Sequence, residues 1–160
     1  MDNAVAAIEP HDAVEAVYRA DADRLWRAIF AFAGDAEIAN DAVAEAFAQL
    51  LNRGSVVRDP AAWTWRAAFR ISAGALKARG ERQRTIASPA SQLDEYGDPD
   101  LIAALRRLPD AQRAAVILFY YADLPIRDIA NRLGTNSLAV RANLSRGRAR
   151  LRKLLGDENG

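Results

Sequence analysis

A proline, a short amphipathic run and a glycine nine residues further on constrain this chain more than any other feature. Residues 125–134 read PIRDIANRLG. The proline sits where a helix begins, a place at which its missing N–H costs nothing. Ile126, Ile129, Ala130 and Leu133 recur at three- and four-residue steps, so they share one face of a helix over Pro125 to Leu133. Gly134 then supplies the left-handed conformation that commonly ends a helix. Asn136 or Ser137 is placed to cap the next helix by accepting from its free N–H groups. In that second helix Val140, Leu144, Leu151 and Leu155 form an apolar stripe, and Arg141, Arg146, Arg148, Arg150, Arg152 and Lys153 crowd the other faces. Small Ala130 beside a glycine turn lets two helices cross closely, as a DNA-reading helix-turn-helix requires. A surface hairpin with merely solvated arginines would show some of these features. The turn, the small residue, the stripe and the charge all agree on the DNA-reading unit.

The rest of the composition narrows the classes. Alanine and arginine are abundant and β-branched runs are scarce, so the expected fold is all-α. With no cysteine, disulfides and thiolate metal sites are excluded. No apolar run approaches the eighteen or so residues of a membrane span, and the acidic start is not a signal peptide, so no membrane insertion and a cytoplasmic location are expected. The net charge of +1 hides an uneven distribution: −6 over residues 1–60, +5 over 61–90, −4 over 91–100 and +6 over 101–160. Two basic segments divided by an acidic one suggest two contacts with a polyanion, and the acidic first part suggests a different partner.

Residues 1–10 carry little structural signal, and Asp12 is a plausible cap for a first helix with a break around Ala20 to Asp23. His11, the only histidine, receives no catalytic role. Gly34-Asp35 interrupts the pattern, with Asp35 capping a second helix that runs to Asn52-Arg53-Gly54. On its outer face Glu37, Asp41 and Glu45 lie four residues apart and project together: a solvated acidic face, or a dock for a basic protein surface. Asp59-Pro60 opens a third helix, where Trp63, Trp65, Phe69, Ile71 and Leu76 mingle with Arg66, Arg70, Lys77, Arg79, Arg82 and Arg84. Rings for unstacked bases and cations for phosphates are what single-stranded nucleic acid needs, although at least one of the tryptophans belongs in the core. Residues 85–100, TIASPASQLDEYGDPD, read as a linker, with Leu93 or Tyr96 docking lightly on a neighbour. Asp100 then starts a short helix ending before Pro109. Asp110 opens another, apolar enough through Val116 to Tyr121 to be buried beneath the helix-turn-helix.

These pieces together resemble the extracytoplasmic-function sigma factors, a class of bacterial RNA polymerase promoter-recognition subunits. The C-terminal motifs are LPDAQR at 108–113, IRDIANRLG at 126–134 and LSRGRARLR at 144–152. The N-terminal ones are DAEIANDAVAEAF at 35–47 and DPAAWTWRAAFR at 59–70. The resemblance implies an N-terminal region-2-like domain over 1–84, a flexible linker over 85–100 and a region-4-like helix-turn-helix domain over 101–156. It further implies that Glu37, Asp41 and Glu45 dock on the clamp helices of the polymerase core. Trp63, Trp65, Arg66, Arg70, Lys77, Arg79 and Arg82 would bind and help melt the minus-ten element. Ser137, Arg141, Asn143, Ser145, Arg146 and Arg148 would contact the minus-thirty-five element, while the preceding helices rest on the polymerase flap. An anti-sigma protein would be a usual regulator.

The chain departs from the family pattern at Asn40 and Ala44, where acid or glutamine is usual, and at Arg70-Ile71-Ser72-Ala73-Gly74, where an arginine-asparagine pair and an aspartate are common. In the reading helix Leu138-Ala139 replaces a usual glycine-threonine, and Ala142-Asn143 stands where serine and arginine are common. Two other readings fit parts of the chain. One is a stand-alone regulator that binds duplex DNA as a dimer; the other is a sigma-like adaptor that no longer opens promoters. With no histidine–carboxylate pair, phosphate loop or metal-ligand spacing, no catalytic residue, metal or cofactor is expected.

Overall fold

The computed structural model describes residues 10–82 and 98–156, and all of the regular structure among them is helical. The first half is a bundle of α1 (Pro10–Ala33), α2 (Ala36–Arg53) and α3 (Pro60–Arg82), with one 3-10 turn at Gly54–Val56. The second half runs through α4 (Pro99–Arg106), α5 (Asp110–Val116), a π-helical turn (Ile117–Tyr121), α6 (Ile126–Leu133) and α7 (Ser137–Gly156).

Local side-chain chemistry sets most of the boundaries. Asp35 accepts from the Ile38 amide at 2.9 Å and starts α2, and Asp59 accepts from the Ala62 amide at 3.0 Å and starts α3. Each satisfies one of the free N–H groups at a helix start. Asp98, rather than Asp100, caps α4, with Pro99 in the first turn, so the helix begins inside the segment expected to be linker. Leu93 and Tyr96, expected to dock on a neighbour, lie outside the described residues.

Two expectations fail in α1. Its first turn begins at Pro10, so Asp12 is not its cap, and the helix runs unbroken through Ala20 to Asp23. The polar residue that suggested a break, Asp21, is buried and accepts a hydrogen bond from the Trp65 indole Nε1 at 3.0 Å. A carboxylate mid-helix is tolerated there because it meets a donor from α3.

The first half packs Leu25, Ile29, Phe32, Leu50 and Trp65 at its centre. The second buries Leu105, Leu118, Ile129, Val140 and Leu144. The run Val116 to Tyr121 is buried only through Leu118; the π-helical turn swings Tyr120 and Tyr121 out, each about half exposed. The two clusters are continuous: α3 packs on α6, and α1 packs on α4 and the π-helical turn. Across the seam the Arg113 guanidinium lies over the Phe32 ring at 4.2 Å, and Arg24 donates to the Ala122 carbonyl at 2.8 Å.

Candidate nucleic-acid interface

The helix-turn-helix is built as its residues require. Gly134 takes φ 69°, its amide returns to the carbonyls of Ala130 and Asn131, and the Thr135 amide bonds the Ala130 carbonyl at 2.9 Å. Asn136 is the cap of α7, accepting from the Ala139 amide at 2.9 Å. Pro125 stands just before α6 as its N-cap residue. One face of α7 is committed to the core through Val140, Leu144 and Gly147. A Cβ on Gly147 would come within 2.8 Å of the Val116 side chain, so this glycine sets how closely α7 crosses α5.

The remaining faces of α7 are open. Arg141, Ser145 and Arg146 are exposed, and Ser137 is half-buried at the first turn. Asn143 is also half-buried and faces a cleft shared with Arg66 and Arg70 of α3. Arg148 turns elsewhere, donating to the Tyr120 hydroxyl at 3.0 Å. Leu138, which the sequence marked only as a departure from the family pattern, is 77% exposed at the start of α7, where an apolar side chain meets thymine methyl groups when a helix enters the major groove.

The basic helix α3 is less uniform than its composition suggested. Trp65 is fully buried, and its indole is bound to Asp21. It is therefore a core residue and not a base-stacking one: a ring with both faces packed cannot receive a base. Trp63 is half-buried, with the Arg53 guanidinium 5.7 Å from its ring centroid. Arg66 donates to the Asn131 carbonyl at 2.7 Å. Arg70 and Lys77 are exposed. Arg79 is ion-paired with Asp35. Burial pushes the Asp35 carboxyl up, but the Arg79 guanidinium and the amides of Ile38 and Glu37 outweigh it and hold it below its ordinary value. The side chain of Arg82 lies outside the described residues.

Between the 54–59 connection and α3 is a cleft of about 340 Å³ lined by Arg53, Arg58, Asp59, Trp63 and Arg66. Asn131 of α6 closes its far side, with its amide donating to Asp59 at 3.1 Å. Arg53 and Arg58 precede the helix that drew attention in the sequence. Only the fold brings them beside Trp63.

On α2, Glu37, Asp41 and Glu45 are all exposed along one face, and Glu45 accepts from Gln49 at 3.0 Å. Asn40 accepts from the Trp26 indole at 2.6 Å. A second, more apolar groove of about 870 Å³ runs between α4, the π-helical turn and the end of α7, lined by Leu101, Tyr121, Leu151 and Leu155 together with Arg148 and Arg152. Among the described residues no cluster of metal-ligating side chains occurs, and no helix is long and apolar enough to cross a membrane.

Comparison with known proteins agrees with this geometry. Residues 99–151 match the family model of sigma-70, region 4. Over 160 aligned positions the chain is 30% identical to the probable ECF RNA polymerase sigma factor SigI of Mycobacterium tuberculosis, in both strain CDC 1551 / Oshkosh and strain H37Rv. The match covers 88% of this chain and 55% of SigI, so the chain spans about half the length of these relatives. In fold it is similar to the sigma factor RpoE solved in complex with the anti-sigma factor NepR from Bartonella quintana, with a TM-score of 0.67 at 19% identity over 89% of this chain and 96% of that one. Residues 99–151 therefore carry the sigma-70 region 4 helix-turn-helix, and the chain as a whole is similar to extracytoplasmic-function sigma factors in sequence and to a solved sigma factor in fold.

Proposed function

We propose that this protein is a promoter-recognition subunit that joins bacterial RNA polymerase core in the cytoplasm, directs it to particular promoters, and performs no chemistry of its own. The observation that carries this reading is the presence on one chain of three surfaces of distinct character. The acidic face of α2, with Glu37, Asp41 and Glu45, suits the clamp helices of the core. The cleft of Arg53, Arg58 and Trp63, with Arg70 and Lys77 beyond it, combines cations with a half-buried ring and suits the unstacked minus-ten strand. The capped helix α7, with Ser137, Leu138, Arg141, Ser145 and Arg146 displayed, suits the major groove at minus thirty-five. The groove beside Tyr121 and Leu155 is apolar and open, which suits a helix from the polymerase flap.

The experiment is co-purification with core polymerase followed by transcription on a pool of promoter fragments. Stable association with selective transcripts is the expected result; duplex binding with no core association would leave only the stand-alone regulator. The adaptor reading is favoured by one observation: Trp65 is buried and Arg79 is ion-paired, so α3 offers fewer groups for strand opening than its sequence promised. Association with core but no open complex on any fragment would select the adaptor.

A further inference from the structure

The outward face of α7 is not its most cationic one. Residues advance by about 100° around an α-helix, so Leu138, Ala142, Ser145 and Ala149, at four-, three- and four-residue steps, fall in one row. Val140, Leu144 and Gly147 are buried on the opposite side. Leu138 heads the row at 77% exposure, Ala142 is half-buried behind it, and Ser145 and Ala149 are exposed. Exposed arginines flank the row, Arg141 along one edge and Arg146 along the other. A stripe of apolar and small side chains between two cationic edges matches the major groove of DNA, where base edges form the floor and phosphates line both walls. Two negatively charged walls are what a duplex supplies and an apolar protein pocket does not.

The asparagines of this helix, the residue type that identifies adenine, are committed elsewhere. The Asn136 side-chain oxygen accepts from the Ala139 amide at 2.9 Å as the cap of α7. Asn143 faces the cleft shared with Arg66 and Arg70. Neither presents the free carboxamide edge that pairs with adenine N6 and N7. In such motifs the first residues of the reading helix reach base edges, and here the side chain that projects there is Leu138. We infer that Leu138 is a specificity residue, selecting thymine at one position of the minus-thirty-five element through its C5-methyl group, the apolar feature of the groove floor. Ala142 adds a methyl group about 6 Å further along the helix axis, within two base-pair steps of the same position. Arg141 and Arg146 hold phosphates on either side and add affinity without sequence preference. This inference rests on the promoter-binding reading above and names a base that its major-groove surface reads.

Thymidine and deoxyuridine differ by that methyl group alone, which makes them the probe. Holoenzyme assembled from this chain and core polymerase first selects fragments from a randomised duplex pool. Each thymine of the enriched minus-thirty-five element is then replaced singly by uracil. One replacement should weaken holoenzyme binding about fourfold, the worth of one buried methyl group. With Leu138→Ala the unmodified fragment should bind more weakly, and the same replacement should cost nothing further. Arg141→Ala should weaken both fragments alike and keep the thymine-to-uracil ratio of the parent. Leu138 is exposed, so the circular dichroism of Leu138→Ala should match that of the parent. If no replacement changes binding, or if the penalty persists in Leu138→Ala, the thymine contact is overturned. Loss of core affinity in Leu138→Ala with the penalty intact would overturn it too, and place the side chain on a protein surface. If no holoenzyme forms, or if it enriches no fragment, the promoter reading itself fails and takes the inference with it.

Discussion

The helices α3 and α7 look alike on paper, at 23 and 20 residues, each a run of alanine and arginine broken by larger apolar side chains. In the folded chain they use those arginines differently. On α3 Arg66 bonds the Asn131 carbonyl and Arg79 is ion-paired with Asp35, while Trp65 disappears into the core. On α7 the cations Arg141, Arg146, Arg150, Arg152 and Lys153 have no hydrogen-bond or ion-pair partner among the described residues. Composition reports that a helix is basic. Whether its charges are on offer depends on what packs beside it.

The largest test of this contrast is Trp65→Ala. Removing a fully buried ring and orphaning Asp21 should destabilise the chain by about 3–5 kcal/mol, seen as a lower urea midpoint. A variant that stayed stable but no longer opened promoter strands would return Trp65 to the display side. Next in size is Gly147→Ala on α7. Alanine gains about 1 kcal/mol in helix propensity but forces Val116 aside, at about 1–3 kcal/mol, for a net loss near 1 kcal/mol. A stabilised variant would mean that α7 has slack against α5.

Asp35→Asn probes the bound cations of α3. Asparagine still caps α2, so the expected loss, on the order of 1 kcal/mol, isolates the charge on Arg79. Because the folded carboxyl lies below its unfolded value of about 3.9, its contribution is complete above that pH and fades as pH falls through the lower folded value. Acid titration of the variant should therefore show a flatter stability loss below about pH 4; an identical acid limb would remove the pair from the account. The smallest effect on folding belongs to Arg141→Ala. Its unfolding free energy should move by less than about 0.5 kcal/mol, while the salt slope of duplex binding falls by about one. A slope equal to that of the parent would take Arg141 off the reading face.

The sequence revealed the parts of the fold that are made locally. Asp35, Asp59, Gly134 and Asn136 act on backbone within four residues of themselves, and each does what its position suggested. What it could not separate were residues of one type whose fates depend on distant partners. Trp63 and Trp65 both sit among arginines, and the difference between them is Asp21, forty-four positions away. The same distant carboxylate produced the false break in α1. At the site, the acidic face of α2 could be read from its four-residue spacing, whereas the cleft of Arg53, Arg58 and Asn131 draws on three separate segments and has no signature in any one of them. Tyr120 and Tyr121 extend an apolar run but leave the core because a π-helical turn carries them out.

Arg113 sets how the seam behaves toward water. Its hydrogen bonds run to the carbonyls of Leu108 and Arg106 and to Asp110, all within its own half of the molecule, and only the Phe32 ring comes from the other. Burial depresses its proton affinity, partly offset by Asp110, and its Nε has no hydrogen-bond partner among the described residues. Were the halves to part, this guanidinium would give up one aromatic face and become hydrated at the atom that lacks a partner. Rehydration of that cation would offset part of the cost of exposing the apolar seam, so parting this boundary would cost less than parting an all-apolar one of the same area.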